Sequence, residues 1–66
     1  MEWYNAQKDQ LPENGQQVLI SVKGVYYICR FDEKERSFII NEETKKTIYK
    51  IDEYLIYWTH FEDPDF

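Results

Sequence analysis

Apolar and polar positions alternate along most of this chain after residue 15. Over residues 16–22, Val18, Ile20 and Val22 alternate with Gln17, Leu19 and Ser21. That is the period-2 pattern of a strand with one buried face. Lys23-Gly24 separates this run from a second one over residues 25–31. Two residues including a glycine, set between β-branched runs, predict a tight hairpin. The turn then fixes the register, with Val22 opposite Val25 on one face. That face continues as Val18 and Ile20 on the first strand, and as Tyr27, Cys29 and Phe31 on the second. The other face carries Leu19, Ser21, Tyr26, Ile28 and Arg30. The first set is the more apolar and is assigned to the core.

Three further strands are expected over residues 37–41, 47–51 and 54–61. The last is rich in aromatic and β-branched residues (Tyr-Leu-Ile-Tyr-Trp-Thr-His-Phe). The charged runs at 32–36 and 42–46 read as solvated loops, and Asp52-Glu53 breaks the chain before the final strand. A helix over 42–57 competes, because positions 48, 51 and 55 are apolar at near-helical spacing. Thr44, Thr47, Ile48 and Tyr49 weigh against it. Residues 1–10 read as an extended arm with room for a short first strand. Leu11-Pro12-Glu13-Asn14-Gly15 reads as a turn, since proline fixes φ and Asn-Gly tolerates φ > 0.

Sequential strands joined by short turns imply an antiparallel arrangement. The expected fold is mainly β: a small antiparallel meander of about five strands, strongly twisted or curled into a half-open barrel of SH3-like size. It forms a single domain over residues 1–66 with an extended N-terminal arm (1–15). Trp3 and Leu11 of the arm should cover part of the second face.

Composition changes the picture in three ways. At 66 residues, such a domain buries only about 60% of its unfolded surface, so the core is thin. Eight basic and 13 acidic residues leave a net charge of −5. That sign disfavours phosphate backbones and anionic membranes, and it suits a soluble protein or one that docks on a basic partner. The aromatic fraction of 18% separates the chain from acidic disordered tails. No apolar run approaches a membrane span. The start, Met1-Glu2-Trp3-Tyr4, lacks the basic and apolar regions of a signal peptide. A lone cysteine and no disulfide staple fit a reducing compartment. A complete cytoplasmic protein is the expectation.

Candidate chemistry is sparse. His60 is the only histidine. Glu62, Asp63 and Asp65 could offer oxygens to a hard cation nearby, but the spacing matches no calcium loop and Pro64 stiffens the segment. Cys29 lies on the inward face, where a thiol acts as a small hydrophobe. Gly15 and Gly24 each have a turn to explain them, so no phosphate loop remains. No catalytic constellation, metal site or cofactor site is expected.

The aromatics are too many for one small core. Tyr26, Ile28 and Arg30 form an outward stripe that could meet Tyr49, or Trp58 and Tyr54, on neighbouring strands. Aromatics beside an exposed arginine are what protein interfaces enrich. The alternative is a second mini-core covered by the arm.

Two segments resemble a known family. Leu11-Pro12-Glu13-Asn14-Gly15-Gln16-Gln17-Val18-Leu19 is similar to the Leu-Pro-Glu-x-Gly-x-x-Val-Leu opening of the bacterial and phage domain-of-unknown-function family numbered 551. That opening usually follows a tryptophan, as Trp3 does here, though Trp3 lies one residue further away and Tyr4 can fill the position. The chain end, with Ile56, Trp58, Phe61, Asp63 and Pro64, is similar to the family's closing motif. Tyr57 stands where that motif has histidine, and Glu62 where it has its first proline. The resemblance implies a small cytoplasmic domain of phage or mobile-element type and no established activity. It implies structural roles for the signature positions, with Pro12 and Gly15 shaping the lead-in turn and Trp58 anchoring the last strand.

The functional expectation is a non-catalytic module that binds another protein or a second copy of itself, with Tyr26, Ile28, Arg30, Tyr49 and Tyr54 as the binding face. Open sheet edges make a homodimer plausible. Nucleic acid is disfavoured as a partner. The alternative is an acidic inhibitor or DNA mimic that occludes a basic nucleic-acid-binding groove.

Overall fold

A computed structural model describes residues 2–61 of the chain. All its regular structure is β: β1 (Tyr4–Asn5), β2 (Gln17–Val22), β3 (Val25–Asp32), β4 (Ser37–Asn41), β5 (Lys46–Lys50) and β6 (Ile56–His60). They form one antiparallel sheet in the order β1-β6-β2-β3-β4-β5, which is not closed into a barrel. No helix occurs among the described residues, so none is long and apolar enough to cross a membrane. The helical alternative at 42–57 fails because its apolar positions share no face. Ile51 is fully buried, while Ile48 and Leu55 are exposed.

The β2–β3 hairpin has the expected register, with Val22 opposite Val25 and Val18 opposite Cys29. Lys23 and Gly24 both have positive φ, at 54° and 76°. That is the two-residue turn whose twist matches the flanking strands, and it explains the glycine. β3, β4 and β5 continue the meander through two turns. In the first, the Glu33 carbonyl accepts from the Arg36 N–H, and Arg36 takes φ 50°. In the second, the Glu42 N–H donates to the Lys45 carbonyl.

The meander stops there. β6 does not pair with β5 but returns to the far side of β2, with Trp58 opposite Ile20. The link over residues 51–55 is pinned on the way. The Ile51 N–H donates to the Arg36 carbonyl at 3.0 Å, and Gln7 Nε2 donates to the Ile51 carbonyl at 2.8 Å. Ile51 itself is fully buried. This buried anchor is the reason for the return, since it carries the chain back across the core.

The core is the inner face of the curled sheet. Val18, Ile20, Val22, Cys29, Phe31, Phe38, Ile40, Ile51, Ile56 and Trp58 are buried, and Ala6 joins them. Val25 departs from the expected core face. It has the right parity, but it sits at the hairpin tip beyond the reach of the core and is 46% exposed.

The N-terminal arm is a built element. The Tyr4 ring lies 4.9 Å from the Trp58 ring, and β1 pairs with β6. The Thr59 hydroxyl donates to the Glu2 carbonyl at 2.6 Å. Asn5 opens the next turn, where its Oδ1 accepts from the Gln7 N–H and its carbonyl accepts from the Asp9 N–H, both at 2.8 Å. Leu11 packs on the core rather than on the second face, because the chain has crossed to the inner side by then. Trp3, against Tyr26, and the Glu2 carbonyl, on the Thr59 hydroxyl, meet the second face.

The signature positions have structural employment. Pro12 is buried. Gly15 has φ 83° in a turn closed by the Gln16 N–H on the Glu13 carbonyl at 3.0 Å, and its N–H donates to the Phe31 carbonyl at 2.7 Å. Trp58 is 1% exposed, and its indole N–H donates to the Gln10 carbonyl at 2.9 Å. Asp63 and Pro64 of the chain end lie outside the described residues.

Candidate functional site

The same registers that build the core assemble the outer face. Ser21 lies opposite Tyr26 and Tyr57, Leu19 opposite Ile28 and Thr59, Gln17 opposite Arg30, and Arg30 opposite Ile39, which in turn lies opposite Ile48. Side chains on facing residues of one parity share one surface. Tyr26, Ile28 and Arg30 therefore do form the expected stripe. Tyr26 is 64% exposed, Ile28 50%, Ile48 47% and Tyr57 40%. Trp3 contributes an aromatic contact at one margin, its ring 5.9 Å from that of Tyr26.

Tyr49 and Tyr54 do not belong to this face, and the expected binding set is corrected for them; Trp58, which the stripe could have met, is also inward. Pairing Ile39 with Ile48 sends Tyr49 inward with Phe38, and Trp58 is inward with Ile20. Tyr49 and Tyr54 form an inner cluster with Tyr27. The Tyr49 ring lies 5.7 Å from Tyr27 and stands edge-on to Tyr54 at 5.0 Å. The Tyr49 hydroxyl donates to the Tyr27 hydroxyl at 3.5 Å. That hydrogen bond first, then burial and the charges of Tyr49 and Glu42, push the Tyr27 hydroxyl above its ordinary pKa. Lys23 Nζ lies 4.8 Å from the centre of the Tyr54 ring, a cation–π contact. The cluster links β3 and β5 across the inner side of the curled sheet.

Strands and turns differ in charge balance. Among the described residues, the charged side chains borne on strands are Arg30, Asp32, Lys46 and Lys50, three cations and one anion. The other described carboxylates, from Glu2 and Asp9 to Glu53, lie in turns and in the arm. Arg30, Asp32, Lys46 and Lys50 share the outward parity, so the strand positions of that face are net positive, while the other described cations lie in the turns among the carboxylates. Arg30 is held in place, with Nη1 donating to the Gly15 carbonyl at 2.9 Å and Nη2 to Gln17 Oε1 at 3.4 Å. Among the described residues the single ion pair is Arg36–Asp52 at 3.7 Å, on the exposed surface. Arg30, Lys46 and Lys50 have no carboxylate partner there.

The remaining candidates are structural. Cys29 is buried, and burial pushes its thiol up to about 12. Such a thiol is protonated and inert. Gln16 Nε2 donates to His60 Nδ1 at 3.0 Å, and the imidazole stands edge-on to Trp58 at 5.1 Å. Glu62, Asp63 and Asp65, once considered with His60 for a cation, lie outside the described residues. Among the described residues, no three His, Cys, Asp or Glu side chains converge on a metal site.

Ile39, Ile48 and Tyr57 extend the face beyond the residues expected, and Trp3 lies at its margin as the arm reading expects. For Ile48 the signal is the alternation Lys46-Ile48-Lys50, which marks an outward row once β5 is paired. Compared with family models, curated proteins and solved structures, the chain gives no significant match.

Proposed function

We propose that this chain is a non-catalytic binding module that docks a protein partner on the outer face of its sheet. The observation that carries this reading is the grouping of Tyr26, Ile28, Ile48 and Tyr57, each at least two-fifths exposed, on one face of a 66-residue domain. A small domain with little apolar material to spare leaves such a patch open at a cost in solubility, and exposed patches of this kind mark interaction sites. Arg30 beside the apolar row adds the residue type that interfaces enrich.

Self-association through sheet edges is the less favoured form. One edge is β1, two residues long, and the other is β5, with Lys46 and Lys50 at its ends. Short strands and edge lysines are both devices that blunt edge-to-edge pairing. The DNA-mimic alternative needs carboxylates in a row at phosphate-like spacing. Apart from Asp32 on β3, the described carboxylates are scattered over the arm and separate turns instead.

The test compares wild type with the double variant Ile48→Glu/Tyr57→Glu, each immobilised and exposed to native lysate. Proteins held by wild type and lost by a normally folded double variant support the face. Identical retention by both, or no retention by either, rejects it.

A further inference from the structure

The sheet is not continuous across the outer face. β3 pairs with β2 along its whole length, from Val25 to Arg30 and on through the Phe31 N–H to the Gln16 carbonyl at 3.1 Å. Its pairing with β4 covers only Arg30, Phe31 and Asp32. In an antiparallel ladder the backbone groups of successive residues point to opposite sides. Phe31 bonds toward β2, so Val25, Tyr27 and Cys29 do the same. Tyr26, Ile28, Arg30 and Asp32 point toward β4. Arg30 and Asp32 find partners there, whereas Tyr26 and Ile28 lie beyond the end of the β3–β4 ladder. Their N–H and C=O groups have no backbone partner among the described residues.

β4 meanwhile continues to Asn41, bonded to β5 through Lys46. The two strands part beyond Arg30 and Ile39. A groove of about 450 Å³ opens there, lined by Ile28, Ile39, Arg30, Lys46, Gln17 and Asn41. The notch therefore has an apolar floor and a free strand edge as one side. Its ionic groups are both cations without an ion-pair partner among the described residues.

We propose that this notch receives an extended, acidic segment of a partner protein, added as a strand along the free edge of β3. The inference rests on the docking-face reading and names how that face is used. Backbone groups of Tyr26 and Ile28 supply sequence-independent hydrogen bonds, as in strand addition. Side chains of one parity on the incoming segment lie toward Ile28 and Ile39, where carboxylates also reach Arg30 and Lys46. Charge argues against a second copy as the occupant. A copy docking by its own notch brings another Arg30 and Lys46 against these.

The first measurement is amide exchange in the free protein. The Tyr26 and Ile28 amides should exchange at least about a hundredfold faster than those of Tyr27 and Cys29. Equal protection at all four shows that the edge is already occupied and overturns the proposal. The second is selection from a displayed library of random linear heptapeptides. Enriched peptides should carry Asp or Glu at alternate positions and lack proline. The selected peptide should protect the Tyr26 and Ile28 amides. Its affinity should fall at least about tenfold in Arg30→Glu/Lys46→Glu, a loss of the size expected for charge-assisted contacts. N-methylation of alternate peptide nitrogens should abolish binding.

No enrichment, enrichment without acidic residues, or full binding by the N-methylated peptide overturns strand addition. A selected peptide that perturbs Ile48 and Tyr57 but leaves the two amides unprotected also overturns it, while the docking face stands. Peptide binding in the notch together with lysate capture that ignores Ile48→Glu/Tyr57→Glu does the reverse.

Discussion

The inner and outer faces of this sheet are built from alternating residues of the same strands, yet they are completed differently. Inside, large side chains find partners. Trp58 lies against Tyr4, Phe31 lies 5.2 Å from Phe38, and Ile20, Ile51 and Ile56 are fully buried. Outside, Tyr26 has Trp3 at its side, while Ile28 and Ile48 stay half exposed. The arm makes the difference. Residues 4–12 cross to the inner side and complete the core with Tyr4, Ala6, Leu11 and Pro12, while Glu2 and Trp3 reach only Thr59 and Tyr26 on the outer side. With so short a chain there is material to cover one face only, so the sheet puts stability on one side and leaves the other available for a partner.

That contrast can be broken most directly at Trp58. Trp58→Ala removes the largest fully buried side chain and its hydrogen bond to Gln10. A loss of about 3–5 kcal/mol is expected, enough to unfold much of so small a domain. Urea denaturation followed by circular dichroism measures it, and a midpoint close to wild type would place Trp58 outside the core.

Alkaline pH comes next. The Cys29 thiol is raised in the folded state from 9.0 to about 12 by burial, and the Tyr27 and Tyr4 hydroxyls are also raised. For Tyr4 the leading cause is its hydrogen bond to Glu2 at 3.0 Å. An acid whose folded pKa is raised stays protonated when folded and ionises when unfolded. Its contribution is intact below the unfolded value and is lost as pH climbs toward the folded one. Stability should therefore fall from about pH 9 upward, with a slope from Cys29 approaching about 1.4 kcal/mol per pH unit. Thermal melts between pH 8 and 11 should show this decline, and Cys29→Ala should flatten its first part. A wild-type stability that is level through pH 10 would mean that the thiol is not buried in solution.

Gly24→Ala tests the turn that aligns the two faces. Nothing lies within 4 Å of an added Cβ, so the cost is conformational. A loss of about 1 kcal/mol is expected from φ 76° alone. The smallest effect belongs to the outer face. Ile48→Lys should change stability by no more than about 0.5 kcal/mol while weakening partner capture. A large destabilisation there would show that the outer face is a second core.

Much of this architecture was legible beforehand, and the reasons are local. The β2–β3 hairpin follows from a two-residue turn with one glycine, which leaves a single register. β4 follows from five residues between two charged runs. The stripe Tyr26-Ile28-Arg30 follows from parity within β3. Tyr49 and Tyr54 were misplaced because parity within one strand does not say which face meets which face of the next. Only the pairing of Ile39 with Ile48 decides that. The return of β6 to β2 was likewise invisible, since sequential strands favour a continued meander and the anchoring of Ile51 by Arg36 and Gln7 spans 15 and 44 residues.

By itself the sequence determined the strands, the turns and the alternation of faces, because these depend on neighbours two to four residues apart. The tertiary structure alone decided where β6 goes, which side the arm covers and where β3 parts from β4. Those outcomes depend on burying a limited apolar surface as a whole, and no short stretch of chain contains that information.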